Sequence, residues 1–558
     1  MERRLRFVFN LFCFLFITVI LRLFFWQVTS FDKLKSAAEK QTLTSLTIAA
    51  KRGRIFSSDG SPLVINQPAY LLFVEPYKLK DIENTSTILA NVLDIPVASI
   101  AATLSDTKLR WVPIADKLDE KKFEEIKKYN LTGIGFLENS KRYYPESSMA
   151  AHLLGFVGKN STGIDQGYFG LEGYYDEQLR GRDGRLKIEE DALGNPILSG
   201  KIEEIPAENG RDLYLTIDKT VQFIAENKLK EGIEKYGAKG GSVVLLEPYT
   251  GAVLAMASFP SYDPGVFSSF PTEYYKNPVI VSSYEPGSTF KVLVMSAVLN
   301  EGKVTPDVKY NEEGPIEVGG YIIRTWNQKY HGEIDLAKIL EYSSNVGMVF
   351  VGGKLGHAPF INYIERLGFG NLTEVDLEEE TSSSLRPKNK WYEIDYATAS
   401  FGQGIAVTPL QMVRAVTTIA NGGKLMRPYL VKKIRDSKGK EIEILPKTEA
   451  KIFKPETTNV VAEMMAGAVN NGETRFLNPS RYRIAGKTGT AQIPISGHYD
   501  TNKTITSFVG FAPVDAPKFI MLVTLSEPTA SPWGSETAAP IFFNIAKELF
   551  SYWGISPS

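Results

Sequence analysis

Phe7 to Val28 is an almost unbroken apolar run behind a basic start, and it constrains everything that follows. In hydrocarbon only a helix satisfies the backbone of a single spanning segment, so such a run crosses a bilayer as an α-helix. At about 1.5 Å per residue it is long enough to do so. Asn10 and Arg22 are its polar interruptions. Its sixteen Phe, Leu, Ile and Val residues, at roughly −0.3 to −0.6 kcal/mol each, outweigh one arginine at about +3 kcal/mol. Arg22 lies off-centre and snorkels toward the interface near Trp26. No small-x-small site follows directly after Val28, which favours an uncleaved anchor over a signal peptide. Arg3, Arg4 and Arg6 stand against one acid, Glu2, so residues 1–6 are expected in the cytoplasm and 29 onward outside the membrane. That placement excludes ATP chemistry.

Bulk properties narrow the chemistry further. A net charge of −1 gives no field for nucleic-acid binding. The only cysteine, Cys13, sits in the apolar run, which removes disulfides, zinc–cysteine sites and a cysteine nucleophile. His152, His331, His357 and His498 have no ligand-like spacing, so neither a metal nor a cofactor is expected.

Phe31 to Gln41 reads as a polar helical stalk. Leu43 to Pro76 alternates β-branched residues with turn signals, including Asp59-Gly60-Ser61-Pro62 and Gln67-Pro68. Residues 81–130 look helical in two or three pieces, broken at Asp94-Ile95-Pro96. Residues 131–205 return to short strands and Gly-rich turns. Arg54, Arg142 and Glu172 in this region read as structural ion pairs or a docking surface. The texture shifts near residue 205. Strands are then expected at Leu213–Ile217, Ser242–Glu247 and Ala252–Ala257, with a helix capped by Asp218 over about Thr220–Tyr236. Helical patterns follow at Ile334–Val351, interrupted at 343–345, and at Pro409–Ala420, Glu456–Val469 and Ala538–Trp553. Strand patterns occupy Arg483–Gln492, Thr504–Ala512 and Lys518–Leu525. Central helices between two β-rich ends indicate an α+β domain with an antiparallel sheet.

Ser-x-x-Lys occurs at Ser30/Lys33, Ser105/Lys108, Ser288/Lys291 and Ser437/Lys440. Only the Ser288 copy has a turn-then-helix context, Glu285-Pro286-Gly287-Ser288 opening onto an apolar run. Three apart on a helix, Ser288 and Lys291 share a face, an arrangement suited to an activated nucleophile. Lys487-Thr488-Gly489-Thr490 is not a phosphate loop, because position 481 is arginine and a strand follows. On a strand, Lys487 and Gly489 face one way, Thr488 and Thr490 the other. Gly489 is expected to let a substrate backbone lie against the strand edge. Ser343 and Asn345, two apart, reach one site only from a turn between helices.

In this order, with gaps of 55 (288 to 343) and 144 (343 to 487) residues, the three motifs resemble those of penicillin-binding proteins and active-site-serine β-lactamases. With the anchor and outer module the chain resembles a class B penicillin-binding protein. Arg52-Gly53-Arg54-Ile55, Gly170-Leu171-Glu172-Gly173, Gly402-Gln403-Gly404 and Thr408-Pro409-Leu410-Gln411 also match. The resemblance implies four segments: 1–6 cytoplasmic, 7–28 anchor, 29–205 a β-rich elongated pedestal, and 206–558 a penicillin-binding transpeptidase domain. It implies D,D-transpeptidation of peptidoglycan stem peptides ending in D-Ala-D-Ala, with β-lactams as covalent inhibitors. Ser288 would be the nucleophile, Lys291 the base and Ser343 the proton relay. Asn345 would bind the substrate peptide; Lys487, Thr488, Gly489 and Thr490 would form the carboxylate-binding strand. The N–H groups of Ser288 and Thr490 would form the oxyanion hole. For Lys291 to act near neutrality its pKa must fall by about 3 from roughly 10.4, costing near 4 kcal/mol, which burial and Lys487 would supply. The middle motif is Ser-Ser-Asn and lacks a central acid. A polytopic membrane glycosyltransferase is the implied partner, and the compact outer module leans toward division over elongation. A β-lactamase, a β-lactam sensor and a silent scaffold are the rival readings.

Overall fold

The computed structural model describes residues 1–106, 109–189, 202–478, 482–495 and 498–557. Lys108 of one Ser-x-x-Lys pair and Arg481 lie outside the described residues. Glu2–Phe24 is α-helical and continues through one wider turn, Phe25–Thr29, before the helix Phe31–Thr42. The side chains from Glu2 to Val28 are all exposed, and the 28-residue stretch Glu2–Thr29 is long and apolar enough to cross a membrane.

The chain forms two compact units, 1–52 with 180–210, and 53–179 with 211–558. The first contains an antiparallel sheet of Leu43–Ile48, Gly184–Glu189 and Ile202–Ile205. The second spans the textural change at 205. Its Asp212–Leu215 strand pairs in parallel with Ile55–Phe56 and antiparallel with Val431–Arg435, so residues 53–179 share a sheet with the catalytic half. Two local expectations are corrected there. Gln67-Pro68 is no turn: Pro62–Val74 is one strand, paired along most of its length with Ile134–Tyr143. A further neighbour besides Ile55–Phe56, Val112–Leu118, is a strand inside the stretch expected to be helical, and its pairing begins only at Tyr70. Pro68 thus lies where one side of the strand is free, the position a proline tolerates. Helices Ile82–Leu93 and Val97–Leu104 do separate at Asp94, which is left-handed (φ 61°). Arg142 and Glu172 form a buried ion pair at 2.6 Å, as the structural reading had it.

The catalytic half is built on a five-stranded antiparallel sheet ordered β2-β1-β5-β4-β3: β1 Gly240–Leu246, β2 Val253–Phe259, β3 Ala485–Ile495, β4 His498–Ala512 and β5 Phe519–Ser526. Strand alternation sends Val243 and Leu245 into one core and Val244 and Leu246 into another. The first core contains residues of the helices α1 (Lys219–Tyr236) and α7 (Ala538–Tyr552). The second contains α2 (Lys291–Asn300), α3 (Leu336–Glu341), α4 (Asn345–Leu355), α5 (Pro409–Ala420) and α6 (Pro455–Asn471). Burial on both faces explains why β1, β2 and β5 read as continuous apolar runs. Asp218 caps α1 by accepting from the N–H groups of Thr220 and Val221. Thr408 and Gln411 form the capping box of α5. β3 is an edge strand, and it carries Lys487 to Thr490.

Candidate active site

Ser288 sits in a single 3₁₀ turn, Gly287–Thr289, that leads into α2. The turn is held from three sides. Thr289 Oγ1 donates to the Pro286 carbonyl at 2.7 Å, Gly287 N–H donates to the Gly402 carbonyl at 3.0 Å, and Gly404 N–H donates to Glu285 Oε1 at 3.0 Å. Gly402 has φ +82°, and a Cβ there would stand 2.1 Å from the Gly287 oxygen. No side chain fits, so this glycine sets how closely the 402–404 loop clamps the Ser288 turn.

Residues Lys291 to Val298 of α2 are all buried, so Lys291 enters the interior with its helix and is 0% exposed. Its Nζ reaches the Ser343 carbonyl at 2.6 Å, Asn345 Oδ1 at 2.9 Å and Ser343 Oγ at 3.3 Å. Burial first, then the positive field of Lys487, holds the Lys291 ammonium well below its ordinary pKa, against opposing pulls from Glu473 and Glu312. A neutral amine has two N–H bonds and one lone pair. The carbonyl and the amide oxygen accept the two N–H bonds, which leaves the lone pair for the one hydroxyl among the three partners, Ser343. Among the described residues no hydrogen bond joins Lys291 to Ser288. Ser343 lies in the turn between α3 and α4 with φ +54°, a conformation that costs a non-glycine residue energy and is imposed by the surrounding structure. The turn is what lets Ser343 and Asn345 converge on Lys291. Asn345 Nδ2 donates to the Arg324 carbonyl at 3.0 Å. Ser344 caps α4 and donates to Glu312, so the acid absent from the motif comes from another strand.

A cavity of about 270 Å³ opens in front of these groups. Ser288, Ser343, Asn345, Thr488 and Thr490 line it, as do Glu473, Gln403, Trp326 and Trp533. Strand alternation places Thr488 and Thr490 on the cavity, while Lys487 stands behind them, 4% exposed, with Nζ 3.0 Å from Thr488 Oγ1. Burial lowers the Lys487 pKa, opposed by Glu473. Lys487 therefore meets the cavity through Thr488 and through its field on Lys291. Gly489 is also closely packed within the chain itself. A Cβ on it would lie 2.3 Å from Ser507 Oγ and 3.0 Å from the Pro286 carbonyl. The backbone that approaches it is the chain's own Ser288 turn. Sequence reasoning missed Glu473, Trp326 and Trp533. The two indoles meet at 4.9 Å from loops more than 200 residues apart in the chain, which no local pattern announces.

A buried lysine network beside a half-buried serine on the cavity, next to the edge strand of an antiparallel sheet, defines a serine acyltransferase site in an α+β domain. Residues 241–547 match the penicillin binding protein transpeptidase domain family, and residues 47–215 the penicillin-binding protein dimerisation domain family. The chain belongs to the penicillin-binding protein transpeptidase family, as a class B member. It is 34% identical to stage V sporulation protein D of Bacillus subtilis, covering 100% of this chain and 86% of that protein. It is 31% identical to peptidoglycan D,D-transpeptidase FtsI of Escherichia coli K12, covering 95% and 88%. Penicillin binding protein 2X from Streptococcus thermophilus superposes with a TM-score of 0.76 at 26% identity, covering 91% of this chain and 80% of that one.

Proposed function

We propose that this protein is a peptidoglycan D,D-transpeptidase that cross-links stem peptides through an ester on Ser288. The observation that carries the reading is the buried network of Lys291, Ser343 and Asn345, lying under Ser288 in a cavity walled by Thr488 and Thr490. Ser288 Oγ attacks the carbonyl carbon of the penultimate D-Ala and passes its proton to neutral Lys291. The C–N bond breaks, and the terminal D-Ala leaves with a proton returned by way of Ser343. An amine from a second stem peptide then attacks the ester. A C–N bond forms, the C–Oγ bond breaks, and Ser288 recovers its proton. The N–H groups of Ser288 and Thr490 receive the oxyanion, a contribution of roughly 3 to 4 kcal/mol in other acyl transferases. Thr488 and Thr490 take the donor carboxylate, with Lys487 behind them as counter-charge and Asn345 toward the peptide.

On the basic N-terminus we assign residues 1–6 to the cytoplasm and the catalytic half to the outer side of the inner membrane. The anchor and outer module supply the contact for a polytopic glycosyltransferase. Within the family we assign the division role, on the compactness of the outer module.

Labelling by a fluorescent penicillin tests the enzyme class. A transpeptidase keeps the adduct for many minutes, a β-lactamase releases it rapidly, and a silent scaffold takes none. A fluorescent fusion should concentrate at the septum; sidewall localisation would transfer the assignment to elongation. Gly402→Ala is expected to slow penicillin acylation by at least about tenfold, because its Cβ displaces the Gly287 carbonyl and with it Ser288. Rapid-quench labelling measures this, and an unchanged rate would remove the loop from the account.

A further inference from the structure

The catalytic cavity contains a charge that the proposed reaction does not use. Among the described residues lining it, Glu473 is the only one with an acidic or basic side chain, and it is an acid. A cavity that takes a carboxylate-ended donor is expected to show the opposite sign.

The hydrogen bonds make the conflict specific. Thr488 Oγ1 donates to Glu473 Oε2 at 2.8 Å and accepts from Lys487 Nζ at 3.0 Å. A hydroxyl has one proton, so Thr488 has none to offer a ligand while Glu473 holds it. Thr490 is in the other condition. Its Oγ1 accepts from Gly534 N–H at 3.0 Å, and its own proton stays available. Half of the two-threonine pair is thus occupied by a group of the same chemical type as the donor terminus. Glu473 follows Gly472 at the end of α6 and also lines the small cavity beside Lys487, so its carboxylate stands between the two spaces.

We propose that Glu473 is a specificity-determining residue that guards the carboxylate subsite, so that an anionic ligand enters only by taking the Thr488 proton from it. The proposal rests on the reading that a carboxylate-ended donor acylates Ser288. Two carboxylates on one hydroxyl in a partly desolvated site repel, so every anionic ligand must first displace Glu473. A ligand without that charge has no such requirement. Glu473 therefore slows acylation by anionic ligands selectively.

The test uses the full-length protein in detergent and measures second-order acylation rate constants for benzylpenicillin and for its methyl ester. Glu473→Gln keeps the size and an acceptor for Thr488 but removes the charge. It is expected to raise the penicillin rate by roughly tenfold, equivalent to about 1.4 kcal/mol, and the ester rate by less than about twofold. Glu473→Ala should raise the same ratio and serves if the glutamine variant folds poorly. A ratio of the two rates that stays constant, or falls, in both variants overturns the proposal. A general structural disturbance would move both rates together and leave the ratio alone. Absence of any covalent adduct between benzylpenicillin and the wild type would instead defeat the transpeptidase reading itself, and the two failures are distinguishable.

Discussion

Lys291→Met is expected to lower covalent labelling by a fluorescent penicillin by at least about 10³-fold while the protein stays folded. Methionine matches the length and volume of the buried lysine stem but has no lone pair on nitrogen to take the Ser288 proton. Asn345 and Ser343 lose their central partner, and the serine hydroxyl is left as a poor nucleophile. The pH dependence should carry the same signature. Lys291 must be neutral to act, and burial with Lys487 depresses its pKa. Acylation by the wild type should therefore persist at neutral pH and fall as pH drops through that depressed value. A group with a depressed lysine pKa binds fewer protons folded than unfolded between the folded value and about 10.4. Stability consequently rises with pH across that window, and Lys291→Met removes this part of the slope. Labelling across a pH series and unfolding at the same pH values measure both effects. Undiminished labelling of the variant would end the assignment of Lys291 as base.

Glu172→Ala should destabilise the second compact unit by about 3–5 kcal/mol, the effect of leaving a buried charge without its partner. Arg142 is buried, and its guanidinium meets Glu172 Oε1 at 2.6 Å, the Gly53 carbonyl at 2.6 Å and Asn66 Oδ1 at 2.9 Å. These contacts join residues far apart in the chain, and after the substitution the cation stays in the interior with only neutral acceptors. Replacing Arg142 and Glu172 together by apolar residues of similar volume should cost much less than the single change, because the desolvated charge disappears with its partner. Denaturant unfolding measures the two, with penicillin labelling per folded molecule as the control. Labelling should be unaffected, since neither residue lines the catalytic cavity. A loss below about 1 kcal/mol for Glu172→Ala would show that the pair contributes little.

The legible parts of this chain are those whose local pattern is also their tertiary pattern. β1, β2 and β5 are buried on both faces, so their uninterrupted apolar runs identify them directly. Helix α5 starts at a Thr-Pro-x-Gln cap, and its expected bounds, Pro409 and Ala420, are the observed ones. The pedestal stretch is harder. Val112–Leu118 pairs with Pro62–Val74 across about forty residues, and only Val112 and Leu118 at its two ends are buried, which leaves no alternation to read. Pro68 carries a turn signal that the neighbouring strand overrides.

The anchor, the absence of thiol chemistry and the three catalytic motifs were determined by the sequence alone. Each depends on residue type and short spacing: an apolar run of bilayer length, a single cysteine, and Ser288, Ser343 and Lys487 with their immediate neighbours. Tertiary structure decided the rest. It lowers the Lys291 pKa, because that requires a helix buried on all sides and Lys487 brought close from 196 positions away (291 to 487). It packs Gly489 against the Ser288 turn, and it sets Glu473 on the Thr488 hydroxyl. Electrostatics and close packing act through space over a few ångströms, and a linear chain records which groups exist but not which of them the fold makes neighbours.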